Sequence, residues 1–461
     1  MSAARGEGRA MTPAARMQAV IEILGGIAAQ AGNSPAEQVV NDYLRQRRYI
    51  GSKDRKALTG MTYGLLRHRA RIGWWLQRGQ GSATVPRQQL LAYLLHCENE
   101  NPETLGRLFD GSRYAPAPLT EEESVLIAHL ADAAGQQDAP PSWVASEVPE
   151  WIMPRLERAF PGAAVEESAA LLEEAPVDLR VNTLLGRVEE AQAALAEEDI
   201  ETHPTPLSPR GLRVAGRRAL RGSRAFAAGL VELQDEGSQL AALLCDARPG
   251  MAVADVCAGA GGKTLALAAE MKGEGRLLAM DSAQARLDRA ALRLRRAGAN
   301  EKAAGFVERR TAKDLAAAKD LHGVFDRVLI DAPCSGSGAW RRHPDARWRL
   351  TPEALESYKA AQRDLLRQAA ALVKPGGRLI YVTCSLLPEE NRDQAEAFLA
   401  AAADFAALPV ERVWRKVLFA PYPGSASGGE SSLTLTPARH GTDGFFIAIF
   451  ERPVAGEGGA A

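Results

Sequence analysis

Asp255-Val-Cys-Ala-Gly-Ala-Gly-Gly-Lys-Thr264 closes the apolar run Ala252–Val256, and the reading of this stretch decides the fold. An apolar strand that ends in glycines lets the backbone pass close to a ligand, and the next helix turns its N-terminus toward the same point. The stretch comes near a phosphate loop, G-x-x-x-x-G-K-[ST]. Counting back from Gly262-Lys263-Thr264, however, puts Cys257 where the first glycine is required. Nor is it G-x-G-x-x-G, because Gly259-Ala260-Gly261 runs straight into Gly262-Lys263-Thr264.

Downstream, Arg276–Met280, Phe306–Glu308, Arg327–Ile330 and Arg378–Val382 are further short apolar runs separated by helical stretches, and Phe445–Phe450 is a late strand. This alternation predicts an α/β fold with a doubly wound, Rossmann-like parallel sheet and ligands at the carboxyl ends of its strands. Asp281 ends the second strand, where a carboxylate can take both hydroxyls of a ribose, and Asp331 ends the fourth. A glycine loop plus an acid after strand two suits an adenosine-containing ligand without a pyrophosphate, and S-adenosylmethionine is one. The Gly/Ser-rich stretch Pro423–Ser432 reads as a mobile loop.

Upstream of about 235 the pattern changes. Asp178–Asn182 is strand-like, Glu189–Glu197 helical, and several short alternating segments follow, so residues 143–234 read as a small mixed α/β subdomain. Before it, Asp138-Ala139-Pro140-Pro141 is the clearest break in the chain. Residues 1–138 show helical spacing throughout, as in Val20, Ile23 and Leu24, then Val39, Val40, Tyr43 and Leu44. Ser52 offers an N-cap to a third helix carrying Leu58, Met61, Leu65 and Leu66. The expected order is an all-α domain (1–138), the small subdomain (143–234), the sheet domain (235–453) and a tail (454–461).

Composition narrows the function classes. The 461 residues carry 56 Lys and Arg against 57 Asp and Glu, a net charge of −1, and 46% are hydrophobic, which is ordinary globular usage. No apolar run is long enough to span a membrane, and the first 16 residues lack the apolar core of a secretory signal. Five cysteines, none paired as C-x-x-C, exclude a disulfide scaffold and a zinc knuckle. A cytoplasmic monomer without metal is expected. The near-zero total hides structure, because between Arg45 and Arg78 ten basic residues face only Asp54, while residues 101–150 hold nine acids against Arg107 and Arg113. Clustered Arg and Lys favour a polyanion through counterion release, so Arg45–Arg78 is a candidate RNA contact.

Two cysteines follow apolar strands. Asp331-Ala-Pro-Cys334-Ser-Gly336 and Val382-Thr-Cys384-Ser385 place both thiols at strand ends, over one cleft beside the cofactor loop. Carbon 5 of a pyrimidine is too weak a nucleophile to take a methyl directly. A thiolate that adds to carbon 6 makes carbon 5 enamine-like, and an acid near ring nitrogen 3 neutralises the charge that builds up. A second thiol can assist the closing elimination. Cys257 reads as a packing residue of the loop, His343 as a turn or an RNA-orienting group, and Cys97 and Cys245 receive no role.

These segments, together with Arg341-Arg-His-Pro-Asp-Ala-Arg-Trp348 and the Leu386-Leu-Pro-Glu-Glu-Asn391 that follows Cys384, resemble the RsmB/NOP family of RNA cytosine-C5 methyltransferases. DNA cytosine methyltransferases carry the Pro-Cys element but not Thr-Cys-Ser. The resemblance covers roughly residues 145–452, including Asp178–Thr183 and Gln234–Gln239. Arg48–Lys56 and Tyr63–Arg67 resemble a NusB-type helical RNA-binding domain, a pairing that implies 16S ribosomal RNA as substrate.

The resemblance implies that Cys384 is the nucleophile, that Cys334 releases product, and that Asp331 touches cofactor and base. It also implies that Cys257, Ala258, Gly259, Ala260, Gly261, Gly262, Lys263 and Asp281 hold S-adenosylmethionine. The family's usual Ala-Ala-Pro-Gly-Gly-Lys is here Ala258-Gly-Ala-Gly-Gly-Lys263, and where the family tends to place an acid after strand three this chain has Arg310-Thr311-Ala312, leaving Thr311 for the adenine. A transfer-RNA cytosine methyltransferase and a catalytically silent RNA-binding assembly factor remain open alternatives.

Overall fold

The computed structural model describes residues 10–30, 34–134, 139–216, 220–298, 306–311, 315 and 318–454. Asp138 of the proline break, Ala312 and residues 455–461 of the expected tail lie outside the described residues. The chain divides into a helical unit (1–157, 162–172 and 342–350) and a sheet unit (158–161, 173–341 and 351–461).

The helical unit opens with α1 (Pro13–Ala29), α2 (Ala36–Gln46), α3 (Ser52–Arg67), α4 (Arg69–Arg78), α5 (Pro86–His96), α6 (Pro102–Leu108) and α7 (Glu121–Ala134). Local chemistry sets several starts. Thr12 accepts the Ala15 N–H with Pro13 at the first helical position, and Asn101 caps α6 in the same manner ahead of Pro102. Ser52 is not the cap of α3: Gly51 takes that position, and Ser52 is the first helical residue. Val20, Ile23, Leu58, Leu65, Leu76, Leu90 and Leu130 make one apolar core.

Residues 142–157 and 342–350, which the sequence ordering places beyond the helical domain, belong to this unit. The Arg347 guanidinium is fully buried and donates to the carbonyls of Glu147 (2.9 Å) and Leu171 (3.1 Å), and the Trp348 indole donates to Leu66 (3.3 Å). Asp345 accepts the Ala36 N–H at the first residue of α2 (3.1 Å) and the Arg349 side chain (2.9 Å). Arg341–Trp348 thus serves mainly as structure, and His343 sits in a turn that its carbonyl closes onto Ala346.

The sheet unit contains two sheets. The smaller is antiparallel, with β1 (Asp178–Val181), β2 (Thr202–Pro204), β3 (Gly211–Val214) and β4 (Val231–Leu233) in the order β2-β3-β1-β4. The larger has β5 (Ala252–Asp255), β6 (Arg276–Asp281), β7 (Val307–Thr311), β8 (Phe325–Asp331), β9 (Val373–Thr383), β10 (Ala406–Leu408), β11 (Ser432–Leu435) and β12 (Phe445–Glu451). Its order is β10-β12-β9-β8-β5-β6-β7; β5 to β9 run parallel, and β12 is antiparallel to β9 and is also paired by β11. Both faces of the central strands are covered, which is why Leu277–Met280, Val328–Ile330 and Leu379–Val382 read as continuous apolar runs. The order reverses between β5 and β8, a topological switch point where parallel sheets hold ligands.

Pro423–Ser432 is not a free loop. The Ala426 N–H donates to the Thr434 carbonyl (2.9 Å), the Ser425 hydroxyl accepts from Thr434 N–H (2.9 Å), and Ser432 is the first residue of β11.

Candidate active site

The glycine loop joins β5 to the helix Gly262–Glu270, and its glycines are needed where φ turns positive: Gly259 at +57° and Gly261 at +83°. At Gly261 a Cβ would lie 3.0 Å from the Ala290 Cβ, so the loop also packs tightly on the helix Gln284–Arg296. Asp281, at the end of β6, accepts the Gly259 N–H (3.0 Å) and the Ala283 N–H (2.8 Å), and Arg293 donates to the Ala260 carbonyl (2.9 Å). Asp255 is buried at the root of the loop. Its Oδ2 accepts the Thr264 hydroxyl (2.7 Å), whereas Oδ1 is buried without a hydrogen-bond partner among the described residues.

These features fit S-adenosylmethionine. Gly259 has open space where a Cβ would project, the Asp281 carboxylate is held at the loop's edge, and a buried acceptor lacks a protein donor. Two expected contacts are placed differently in detail. Thr311 ends β7 as expected, but its hydroxyl bonds the Gln284 side chain. Cys257 packs against the core, and burial first, then nearby carboxylates, push its thiol well up.

Lys263 belongs to a charge pair. Its ammonium lies 2.7 Å from Asp331 Oδ2 and 5.3 Å from the Phe445 ring centroid. Burial would lower the Lys263 pKa, but the Asp331 charge, its hydrogen bond and Cys384 outweigh burial and raise it. The lysine therefore stays cationic beside both Asp331 and Cys384.

The two thiols meet. Cys334 Sγ and Cys384 Sγ are 3.4 Å apart, both half-buried, on loops after the neighbouring strands β8 and β9. The Cys334 thiol is pushed well up, first by its hydrogen bond to Cys384, then by burial and by the charges of Cys384 and Glu390. Either sulfur can be the donor across this contact. The Thr383-Cys384-Ser385 turn is gripped from behind: Thr383 donates to Asn391 (2.6 Å), Asn391 donates to the Ser385 carbonyl (2.8 Å), and Gly338 N–H donates to the Cys384 carbonyl (2.9 Å).

Sequence reasoning brought Cys334, Cys384, Asp331, Asp281 and the 257–263 loop to one end of the sheet, where the structure has them, but it missed Glu390 and Asp255. Glu390 joins the two cysteine loops; Pro388-Glu-Glu390 after Thr-Cys-Ser was visible, but nothing in the spacing says which acid turns inward. Among the described residues, no helix is long and apolar enough to cross a membrane.

A doubly wound sheet with a glycine loop, an acid after β6 and two strand-end thiols defines an S-adenosylmethionine-dependent methyltransferase. Residues 242–451 match the family model of the 16S rRNA methyltransferase RsmB/F, and residues 148–221 match the ferredoxin-like domain of RsmF/B-like methyltransferases. The chain belongs to this RsmB/F family. "Probable ribosomal RNA small subunit methyltransferase B" of Synechocystis sp. is 36% identical over 66% of this chain and 66% of its own length, so the match spans just under two-thirds of that relative. "Ribosomal RNA small subunit methyltransferase B" of Pectobacterium carotovorum is 29% identical over 87% of this chain and 91% of its own. Among solved structures, that of PH0851 is similar with a TM-score of 0.74, at 26% identity over 96% of this chain and 99% of its own.

Proposed function

We propose that the protein methylates carbon 5 of a cytosine in RNA through a covalent bond from Cys384 to carbon 6, and that the RNA is the 16S ribosomal RNA its relatives are named for. The observation that carries this reading is the thiol pair itself. Two cysteines 3.4 Å apart, one of them interacting with a buried ammonium, suit a nucleophile and an assistant.

Cys384 sulfur bonds to carbon 6, while Asp331, hydrogen-bonded to the Lys263 ammonium, relays a proton to ring nitrogen 3. Residues 257–263, Asp281 and Asp255 hold S-adenosylmethionine, which supplies an electrophilic methyl group. After carbon 5 is methylated, the nitrogen-3 proton returns to Asp331, the carbon-5 proton passes to water, and the Cys334 thiol, 3.4 Å away, hydrogen-bonds the Cys384 sulfur as it leaves. The carbon 5–carbon 6 double bond returns as the sulfur–carbon bond breaks, and Cys384 leaves as the thiolate.

The helical unit supplies the RNA surface, though with less free charge than the sequence count suggested. Arg47 pairs with Glu22 (3.3 Å), Arg45 with Asp42 (2.8 Å), and Arg55 is spent on the carbonyls of Ile50 and Leu44. Arg48, Lys53 and Lys56 are exposed with no side-chain partner among the described residues, and they flank Tyr49, which is 72% exposed. An exposed aromatic with free cations on both sides along the chain fits a single-stranded base and its phosphates.

The test is a denaturing gel after incubation with cofactor and RNA. Cys384→Ala is expected to give neither methylation nor adduct, and Cys334→Ala to accumulate a covalent protein–RNA band. An adduct from Cys384→Ala and none from Cys334→Ala would reverse the assignment.

A further inference from the structure

Glu390 is fully buried and held only by neutral donors. Its Oε1 accepts the Ser335 N–H (2.8 Å) and the Gln362 amide (3.0 Å). Its Oε2 accepts the Ser385 hydroxyl (2.5 Å) and the Ser335 hydroxyl. Ser335 follows Cys334 and Ser385 follows Cys384, so one carboxylate ties together the residues next to both thiols. Gln362 extends the tie by also donating to the Pro333 carbonyl (3.0 Å), one residue before Cys334. The Ser337 and Ser385 hydroxyls are 3.1 Å apart and accept the N–H groups of Leu386 (2.8 Å) and Leu387 (3.0 Å).

Among the described residues, no Lys, Arg or His makes an ion pair with Glu390. A buried carboxylate without a counter-charge is an expensive way to hold a loop, since a glutamine could make similar hydrogen bonds without desolvating a charge. The charge therefore calls for a use. Cys384 and Glu390 both act against a negative charge on Cys334, while a backbone hydrogen bond from Gly336 favours one. Cys384, for its part, acts on Lys263 and raises its pKa.

We propose that Glu390 is a positioning residue that locks the Cys334 and Cys384 loops together and fixes which of the two sulfurs is the nucleophile. This rests on the cytosine reading for the reaction, but not for the measurement, because thiol ionisation can be read without RNA.

In full-length Cys384→Ala, the pH profile of Cys334 alkylation by iodoacetamide is compared with and without Glu390→Gln. Loss of an opposing carboxylate within several ångströms is expected to lower the profile's midpoint by about one pH unit or more. Glu390→Asp, which keeps the charge, should hold the midpoint near that of the parent. In the chain with both cysteines, Glu390→Gln should lower kcat with little change in KM for RNA, and adducts mapped by mass spectrometry should appear on Cys334 as well as Cys384. A folded Glu390→Gln chain with an unmoved midpoint overturns the proposal. So does a Glu390→Gln chain that fails to fold, since the carboxylate then serves the fold alone. Failure of the cytosine reading shows separately, in the adduct gel.

Discussion

Asp255→Asn tests whether the cofactor loop is built at the expense of stability. Asp255 is completely buried; burial first raises its pKa from 3.8 to about 7, Asp331 and Asp281 add to the shift, and the Thr264 hydrogen bond and Lys263 oppose it. The folded chain thus holds a proton that the unfolded chain has already released. This contribution to stability is fully present below the unfolded value of 3.8 and is lost as pH rises to about 7. At about 1.4 kcal/mol per pH unit, with the slope halved at the folded value itself, wild type should lose roughly 2 kcal/mol from this group between pH 5 and pH 7. The introduced asparagine does not titrate. Its oxygen can keep the Thr264 hydrogen bond, but its amide enters the place of the unpartnered Oδ1, at a cost of roughly 1–3 kcal/mol that does not depend on pH. Thermal unfolding of both chains from pH 5 to pH 8 should show the variant lower at pH 5 and gaining on wild type by several degrees as pH rises. Calorimetric titration should show weaker S-adenosylmethionine binding by the variant at every pH. A difference between the two chains that stays flat with pH would refute the assignment of a buried, late-titrating Asp255.

Gly338→Ala should damage the fold and the nucleophile together, because a Cβ there would sit 2.2 Å from the Gly444 carbonyl oxygen. Two backbone hydrogen bonds run through this glycine, to the Cys384 and Gly444 backbones at 2.9 Å each, so a melting measurement should find roughly 2–4 kcal/mol lost along with most of the methylation. Replacing Arg48, Lys53 and Lys56 together by Gln should weaken RNA binding and flatten the dependence of log K on log salt by roughly 2 units, read by fluorescence anisotropy at several salt concentrations, with S-adenosylmethionine affinity unchanged. Adding Tyr49→Ala should weaken RNA binding further by about 1–3 kcal/mol without changing that slope.

Much of this molecule was legible in local pattern. The central parallel strands announced themselves as apolar runs because both faces of the sheet are covered there, whereas the edge strand β7 is mostly polar and exposed, and each site residue stood where a strand stopped. What stayed hidden depends on partners distant in sequence. Lys263 read as a cofactor-loop residue because nothing local says that its ammonium finds Asp331, 68 residues on, across neighbouring strands. Glu390 stood inside a quoted motif, yet its meaning lies in Ser335, 55 residues earlier, and Gln362, 28 residues earlier. The basic window read as strongly cationic because Glu22 lies outside it and comes alongside only when α1 and α2 pack. Arg341–Trp348 read as part of the family resemblance, with His343 as a turn or an RNA-orienting group, and the buried Arg347 makes the part from 342 on a brace of the helical unit.

These cases share a physical cause. Burial periodicity is a property of neighbours along the chain, so it survives in the sequence; a charge's partner is a property of register and crossover, which the sequence does not display. The same distinction separates the two thiols. Both follow an apolar strand and both sit in a polar turn, so spacing alone treats them alike. The assembled surroundings separate them, since Cys384 acts on the Lys263 ammonium while the Glu390 carboxylate acts on Cys334, and the proposed roles of nucleophile and assistant rest on that difference.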